Sequence, residues 1–375
     1  MVKRVALLFL LLFCVSVPAL AEISSSVKLT LMNTLATTDD ETVSFTGFGT
    51  GRLTFKSAGS KKVKGQLSLD ARIGDTALLD VTRAFVKARF PGFRITLGKD
   101  TVAWGEGVFY NAGDVIFGAV PKEEDLSAEV FRDDAVWLTS AYVPLGDYSF
   151  VEPILLAPEL NLSTLARDPS ASPPSLSDAA AGVRVVTKLA GIKTEAGYLY
   201  RGEERTHNPY FSLQGHLLVD LHLSGSVSVP HYPGEAPGAG AKPVVSFGLF
   251  HLQRFSGAGS DSISFRLEGL LRPLGDWKAQ DSSRTDADSD PDTEYALMLY
   301  PEVAWALDQS LTLLCRSVVS PIDLSALVIA GVNWNVYEGL KLLGYLSVQA
   351  GEKTDLYGLR KGGGLGLTVG VQYIF

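Results

Sequence analysis

Along most of this chain the apolar side chains recur at every second residue, and repeats of three or four are hard to find. The cleanest stretch runs from Val63 to Ile73. Val63, Gly65, Leu67, Leu69, Ala71 and Ile73 fall on one face, and Lys64, Gln66, Ser68, Asp70 and Arg72 on the other. Ile192, Thr194, Ala196, Tyr198 and Tyr200 oppose Lys193, Glu195 and Arg201 in the same way. Ile263, Phe265, Leu267 and Leu271 oppose Arg266 and Glu268, and the chain ends on Leu365, Leu367, Val369, Val371, Tyr373 and Phe375. Side chains alternate across a strand, so each stretch predicts a β-strand with one apolar face.

Alternation alone fits any half-buried antiparallel sheet; the spacing of the breaks discriminates. Short turns at Pro91-Gly92, Leu145-Gly146-Asp147, Ala190-Gly191, Leu307-Asp308-Gln309 and Tyr337-Glu338-Gly339 alternate with longer connections. The latter are expected at 104–134, 157–179, 202–207, 230–242, 273–293, 318–325 and 351–363. Short turns at one end and long loops at the other are the arrangement of an outer-membrane barrel. The pattern predicts an all-β fold: a single transmembrane antiparallel β-barrel of about 18 strands, or 16 if the faint segments at 43–55 or 221–229 do not form. An even count puts both termini on the periplasmic side.

Lys3 and Arg4 precede an apolar run from Val5 to Val17, followed by Ala19-Leu20-Ala21. This is the layout of a cleaved signal peptide over 1–21, leaving 22–375 as the barrel of an exported protein. Cys14 follows the bulky Phe13, which does not suit a lipidation site. After the leader no stretch without Asp, Glu, Lys or Arg reaches the length of a membrane helix. Cys315, the other of the two cysteines, has no partner and reads as a small apolar residue.

The formal charge of the 375-residue chain is −8, and becomes −10 once Lys3 and Arg4 leave. That excludes a nucleic-acid binder, which needs a basic field. Divided by strand face, the charge is uneven. The face opposite the apolar stripe carries Lys64, Arg72, Arg83, Lys87, Arg89, Arg94, Arg184, Lys188, Lys193, Arg201, Arg266 and Lys341, with Arg316 beside them. Only Asp70, Glu195 and Glu268 oppose these; the other acids gather in loops, at Asp39–Glu41, Glu123–Asp125, Asp133-Asp134 and Asp286–Glu294. A water-filled lumen lined this way favours anions. Alternatively, the basic residues brace the interior by pairing with Glu106 and Asp114 of an inward loop.

Thr368-Val369-Gly370-Val371-Gln372-Tyr373-Ile374-Phe375 resembles the last-strand signal of Gram-negative outer-membrane proteins. The resemblance implies recognition by the barrel-assembly machinery through Tyr373 and Phe375, and insertion into outer-membrane lipid of a diderm bacterium. Arg94-Ile95-Thr96-Leu97-Gly98-Lys99-Asp100, then Trp104-Gly105, then Asn111-Ala112-Gly113-Asp114, is similar to a segment of alginate-export-like porins. Those families typically have Gln where this chain has Asp100, and often Pro at Ala112 or Gly113. The match covers 83–117 only, so it implies porin-like architecture and no particular solute. Independently, the Gly-rich 104–134 segment is long enough to be functional. Its Trp104, Glu106, Tyr110, Asn111 and Asp114 are candidates for a constriction inside the lumen.

Catalytic readings find little. His216 is expected to face the lumen and His251 the lipid, with His207 and His231 in loops, and no Ser-centred motif accompanies them or His222. The acidic run 276–294 lacks the Gly and terminal Glu of a calcium loop. No cofactor, metal or enzyme activity is expected. The expected function is passive passage of small polar or anionic solutes through a porin-like channel. The alternatives are a plugged structural or adhesive barrel with acidic surface loops, or a transporter of hydrophobic substrates. The last would need an apolar pocket and an N-terminal hatch, for which Glu22–Ser26 is short.

Overall fold

The computed structural model describes residues 23–37, 43–57, 62–74, 77–158, 175–232, 240–255, 261–279, 294–352, 355–358 and 364–375. The expected signal peptide, Asp39–Glu41, most of the 157–179 connection and most of the 276–294 acidic run lie outside them.

Eighteen strands form one sheet: β1 Ile23–Thr37, β2 Val43–Ser57, β3 Val63–Ile73, β4 Ala77–Arg89, β5 Arg94–Asp100, β6 Val136–Pro144, β7 Phe150–Leu156, β8 Ala180–Leu189, β9 Ile192–Arg201, β10 Thr206–His216, β11 Asp220–Pro230, β12 Lys242–Arg254, β13 Ser262–Leu271, β14 Leu297–Ala306, β15 Leu311–Ser320, β16 Ser325–Tyr337, β17 Leu340–Ala350 and β18 Leu365–Ile374. Every strand pairs antiparallel with its sequence neighbours, and β18 closes on β1 from Lys28↔Ile374 to Ala36↔Gly366. Closure leaves no free sheet edge around most of the wall, which is how a sheet becomes tolerable in lipid. Val27 and Phe375 exchange backbone hydrogen bonds of 2.8 and 3.0 Å, so the last residue is stitched into the seam. Both weak segments form strands, as β2 and β11. The connections at 202–205 and 321–324 are tight, because Thr206, His207 and Val318–Ser320 join the ladders instead of extending loops.

The two faces differ as alternation requires. Leu29, Leu31, Phe211, Phe265, Val303 and Leu367 stand exposed on the outer wall, while Thr30, Ser68, Ser212, Ser224, Ser246 and Glu268 are buried inside. An apolar exterior round a polar interior inverts a soluble protein, and a bilayer is the medium that covers such a band. The start of β1, the end of β18 and the short turns share one rim, the short-turn rim; the long connections share the other.

Two local irregularities shape the interior. A bulge opposite Ser68/Leu69 brings both Thr82 and Arg83 to the inner face, where Thr82 hydroxyl donates to Asp70 at 3.1 Å. Pro153, Pro209 and Pro301 each sit where the ladder to one neighbour lapses, as expected for residues without an N–H. The residues preceding them, Glu152, Asn208 and Tyr300, point inward and are buried.

Gly98 has φ +120°, and a Cβ there would lie 2.1 Å from the Ala84 carbonyl oxygen on β4. Gly98→Ala is expected to cost at least about 1–3 kcal/mol through backbone strain alone. The urea midpoint for unfolding from lipid vesicles should fall accordingly, and an unchanged midpoint would contradict the strained geometry.

Candidate pore and its constriction

β5 stops at Asp100 and the chain turns into the barrel. Asp100 caps the turn: its carboxylate accepts from the Thr101 amide at 2.9 Å and from Lys87 at 2.7 Å. Residues 101–135 then cross the interior. Trp104 is fully buried, stacked on Tyr210 of β10 at 5.4 Å, with the Arg184 guanidinium near its ring and donating to the Ala103 carbonyl at 2.6 Å. Gly105 and Gly107 take left-handed φ values of +70° and +141°. The turns they allow aim a run of amides at the wall.

Those amides meet acceptors placed by alternation on four strands. Gly105 N–H donates to Glu195 at 3.0 Å, Glu106 N–H to Ser224 at 3.3 Å and Ala112 N–H to Ser246 at 2.8 Å. Glu268 on β13 accepts three together, from Val108, Phe109 and Tyr110, at 2.9, 2.8 and 2.8 Å. A buried carboxylate taking three N–H donors solves two problems at once, since neither the charge nor the ladderless amides could otherwise be buried. Side chains of the wall also reach loop carbonyls: Arg201 to Val115 and Ile116, and Arg316 to Leu126 and Ala128.

Within the loop, Arg132 donates to Asp114 at 2.9 Å and to the carbonyls of Phe109, Gly118 and Ala119. Asp114 also accepts from the amides of Ile116 and Phe117. Burial nevertheless pushes the Asp114 carboxyl up to about 6, against the attraction of Arg132, and burial pulls the Arg132 guanidinium down. Desolvation outweighs pairing on both partners. The apolar side of the loop packs on β13–β17: Phe109 lies flat on Tyr300 at 4.4 Å and edge-on to Phe131, in a cluster with Leu270, Met298, Val318 and Leu343. Trp104, Val115 and Ile116 join Leu138, Ile154 and Leu199 on the opposite wall. Ion pairs from Lys28 and Lys341 to Glu129, and from Arg52 and Arg83 to Asp133, complete the circuit.

The constriction candidates therefore play unequal parts. Trp104, Tyr110, Asn111 and Asp114 are buried as the loop's own framework; Asn111 donates to the Trp104 carbonyl at 2.9 Å and accepts from Gly113. Glu106 is the member that reaches a wall cation, Lys193. The wall cations divide as well. Arg184 is bound to Glu152 and Glu195, Arg266 to Glu302 at 2.8 Å, and Arg201 to Glu204 and the loop. Arg72 is held loosely, 3.9 Å from Glu123. Near the short-turn rim, Lys64 lies opposite Lys87, Arg89 opposite Arg94, and Lys188 opposite Lys193.

Sequence reasoning passed over Arg132, Glu152 and Glu302. Arg132 is the single arginine of 101–135, a signal that was available. Glu152 and Glu302 sit on inward positions beside Pro153 and Pro301, where irregular alternation hid them. His207 lies in β10, not in a loop: its ring contacts Tyr198 hydroxyl at 2.5 Å and His231 at 2.9 Å. Cys315 is free and faces outward. No group of three or more His, Cys, Asp or Glu suited to a metal occurs among the described residues.

Glu268→Ala would orphan three amides. The expected cost to the docked loop is about 3–5 kcal/mol, read as rapid proteolytic nicking within 101–135 while the heat-modifiable barrel band persists. A loop as resistant as wild type would remove Glu268 from its anchoring role. The pH sign follows from Asp114. Its folded value lies above the ordinary one, so the docked loop gains stability below about pH 4 and loses it as pH rises through about 6. Asp114→Asn should flatten this dependence of loop protection between pH 4 and 7.

No protein-family model and no curated protein matches the chain, so the resemblance over 83–117 rests on its motif alone. Solved structures do match. The crystal structure of Acinetobacter baumannii OccAB4 superposes with TM-score 0.54 at 10% identity, over 94% of this chain and 98% of that one. Pseudomonas aeruginosa OpdO gives 0.55 at 11%, over 94% and 97%. Pseudomonas aeruginosa OccD3 (OpdP) gives 0.53 at 9%, over 94% and 91%. At these identities the likeness is one of fold: over almost its whole length, this chain is built on the same barrel.

Proposed function

We propose that this chain is an outer-membrane channel, not an enzyme, which lets small polar solutes pass and favours anions. The carrying observation is the set of like charges facing one another across strands at the short-turn mouth: Lys64/Lys87, Arg89/Arg94 and Lys188/Lys193. Like charges directly opposite are destabilising, and their cost falls where water and mobile anions screen them. Lys87 has Asp100 as a partner and Lys193 has Glu106, whereas Lys188 and Arg94 lie against the rings of Tyr148 and Tyr142. Arg72, loosely held, adds positive charge toward the other mouth. The loop 101–135 is the constriction between them.

In this reading residues 1–21 are removed on export, both termini are periplasmic, and Tyr373 and Phe375 present the last strand to the assembly machinery. The likeness to OccAB4, OpdO and OccD3 supports the architecture and carries no solute with it. A plugged barrel is the second reading, favoured by the loop's contacts with nearly every sector of the wall.

Planar-bilayer recording of the refolded 22–375 chain in a salt gradient separates them. The expected result is measurable conductance with a reversal potential on the anion side. Replacing Lys64, Arg89 and Arg94 by Gln should move that potential toward zero. Absence of conductance supports the plugged barrel, and cation selectivity overturns the anionic preference while leaving the channel.

A further inference from the structure

The wall steps down sharply beside the inward loop. β4 pairs with β3 along its whole length, yet it pairs with β5 only from Ala84↔Lys99 to Arg89↔Arg94. Among the described residues, the edge of Ala77–Arg83 has no strand beside it, because β5 ends at Asp100 where the chain turns inward. That is roughly 20 Å of open sheet edge. β6 and β7 are no taller, starting at Val136 and ending at Leu156.

A cavity of about 530 Å³ occupies this step. Its lining contains the consecutive residues Leu78, Leu79, Asp80 and Val81. Successive residues of a strand face opposite sides, so a space touching all four wraps round the strand edge and connects the outside of the barrel to its inside. Val136, Trp137 and Leu156 form the far side, and Ile116 and Phe117 of the loop form the back. Apolar side chains of the same hairpin are exposed, Ile73 at 68% near its tip and Leu79 at 73% in the cavity lining itself. A hydrocarbon layer that covers these reaches the opening.

Asp80, Lys99, Lys122 and Ala135 also line a second, polar cavity of about 400 Å³, in which five cations, Arg72 among them, stand against five carboxylates. Three cations at this junction are held loosely: Lys99 lies 3.7 Å from Asp80, Lys122 3.9 Å from Asp134 and Arg72 3.9 Å from Glu123. None of these distances is a hydrogen bond, so an arriving carboxylate can replace the existing partner at little cost.

We infer that the β4/β5 step is a lateral entry site for a single-chain amphiphile with an anionic head, of the fatty-acid type. The tail lies between Leu78, Leu79 and Val81 on one side and Val136, Trp137 and Leu156 on the other. The head meets Lys99 and Lys122 and faces the polar cavity. This site does not rest on axial passage, and it supplies the apolar pocket that a carrier of hydrophobic substrates needs.

The test uses the 22–375 chain in lipid nanodiscs, with dodecanoate carrying a diazirine near its methyl end as probe. Expected labelling falls on peptides containing 78–81, 136–137 and 156, and excess dodecanoate competes it away. Leu156→Trp, which narrows the cavity, should strongly reduce the competable labelling while the heat-modifiable barrel band persists. Lys99→Ala with Lys122→Ala should weaken the carboxylate probe about fivefold to tenfold, the worth of one or two partly screened ion pairs, and leave the matching dodecanol probe unaffected. Labelling spread evenly round the outer wall without competition overturns the proposal. So does competable labelling that Leu156→Trp leaves undiminished, or that arises only after residues 159–174 are deleted, which would make the chain itself the occupant.

Discussion

Burying a ladderless segment inside a barrel requires an acceptor for every amide it brings, and the contact between Glu268 and residues 108–110 meets that requirement most directly. Three donors on one carboxylate fix the loop's position across the lumen and fix the orientation of Phe109, which then lies flat against Tyr300. Stacking of this kind adds roughly 0.5–1.5 kcal/mol beyond burial of the rings. The carboxylate is in turn tied to the wall, since Arg266 lies 3.8 Å away and bridges to Glu302, which binds Arg316 at 2.7 Å. Arg316 returns to the loop at Leu126 and Ala128. Wall and loop thus form one closed polar circuit in which each buried charge has more than one partner.

That circuit decides which wall charges are engaged. Arg184, Arg201, Arg266 and Arg316 are committed to carboxylates and loop carbonyls, and β13–β17 are sealed by aromatic and aliphatic packing. On the β2–β9 side the wall is mixed: Trp104, Val115 and Ile116 pack on Leu138, Ile154 and Leu199, while Arg72 is held loosely and Lys64/Lys87, Arg89/Arg94 and Lys188/Lys193 face one another. A uniform basic lining would leave positive charge in every sector; here the four bound arginines are neutralised by their partners.

Much of this architecture was legible from the sequence. Period-two alternation marked the strands, including the faint β2 and β11, and the length and aromatic content of 104–134 marked a loop that packs inside the barrel. The interior face of Lys193, Glu195 and Arg201 follows from the pattern as well. Partnership was not legible. Glu268 reads as one acid among basic residues, and its donors lie some 160 positions away in the chain. Asp114 looked like a partner for the wall, but Arg132 of the same loop takes it, because burial makes a charge seek the nearest counter-charge that moves with it. His207 was misplaced because a polar residue near a strand end resembles a loop residue until the register Tyr200↔His207 is known.

The inward loop and the step in the wall are one structural fact. A strand whose chain turns into the lumen at Asp100 cannot also continue the wall, so β4 must lose its neighbour above Ala84. Closing the step would require a longer β5, and a longer β5 would deliver residues 101–104 to the rim and not to the interior, pulling Trp104 off Tyr210 and the 108–110 amides off Glu268. The left-handed turn at Gly98, with no room for a side chain against Ala84, holds the branch point where it is. Constriction along the barrel axis and access through its side therefore cannot be altered independently. Any change that relocates the loop's point of entry must change both.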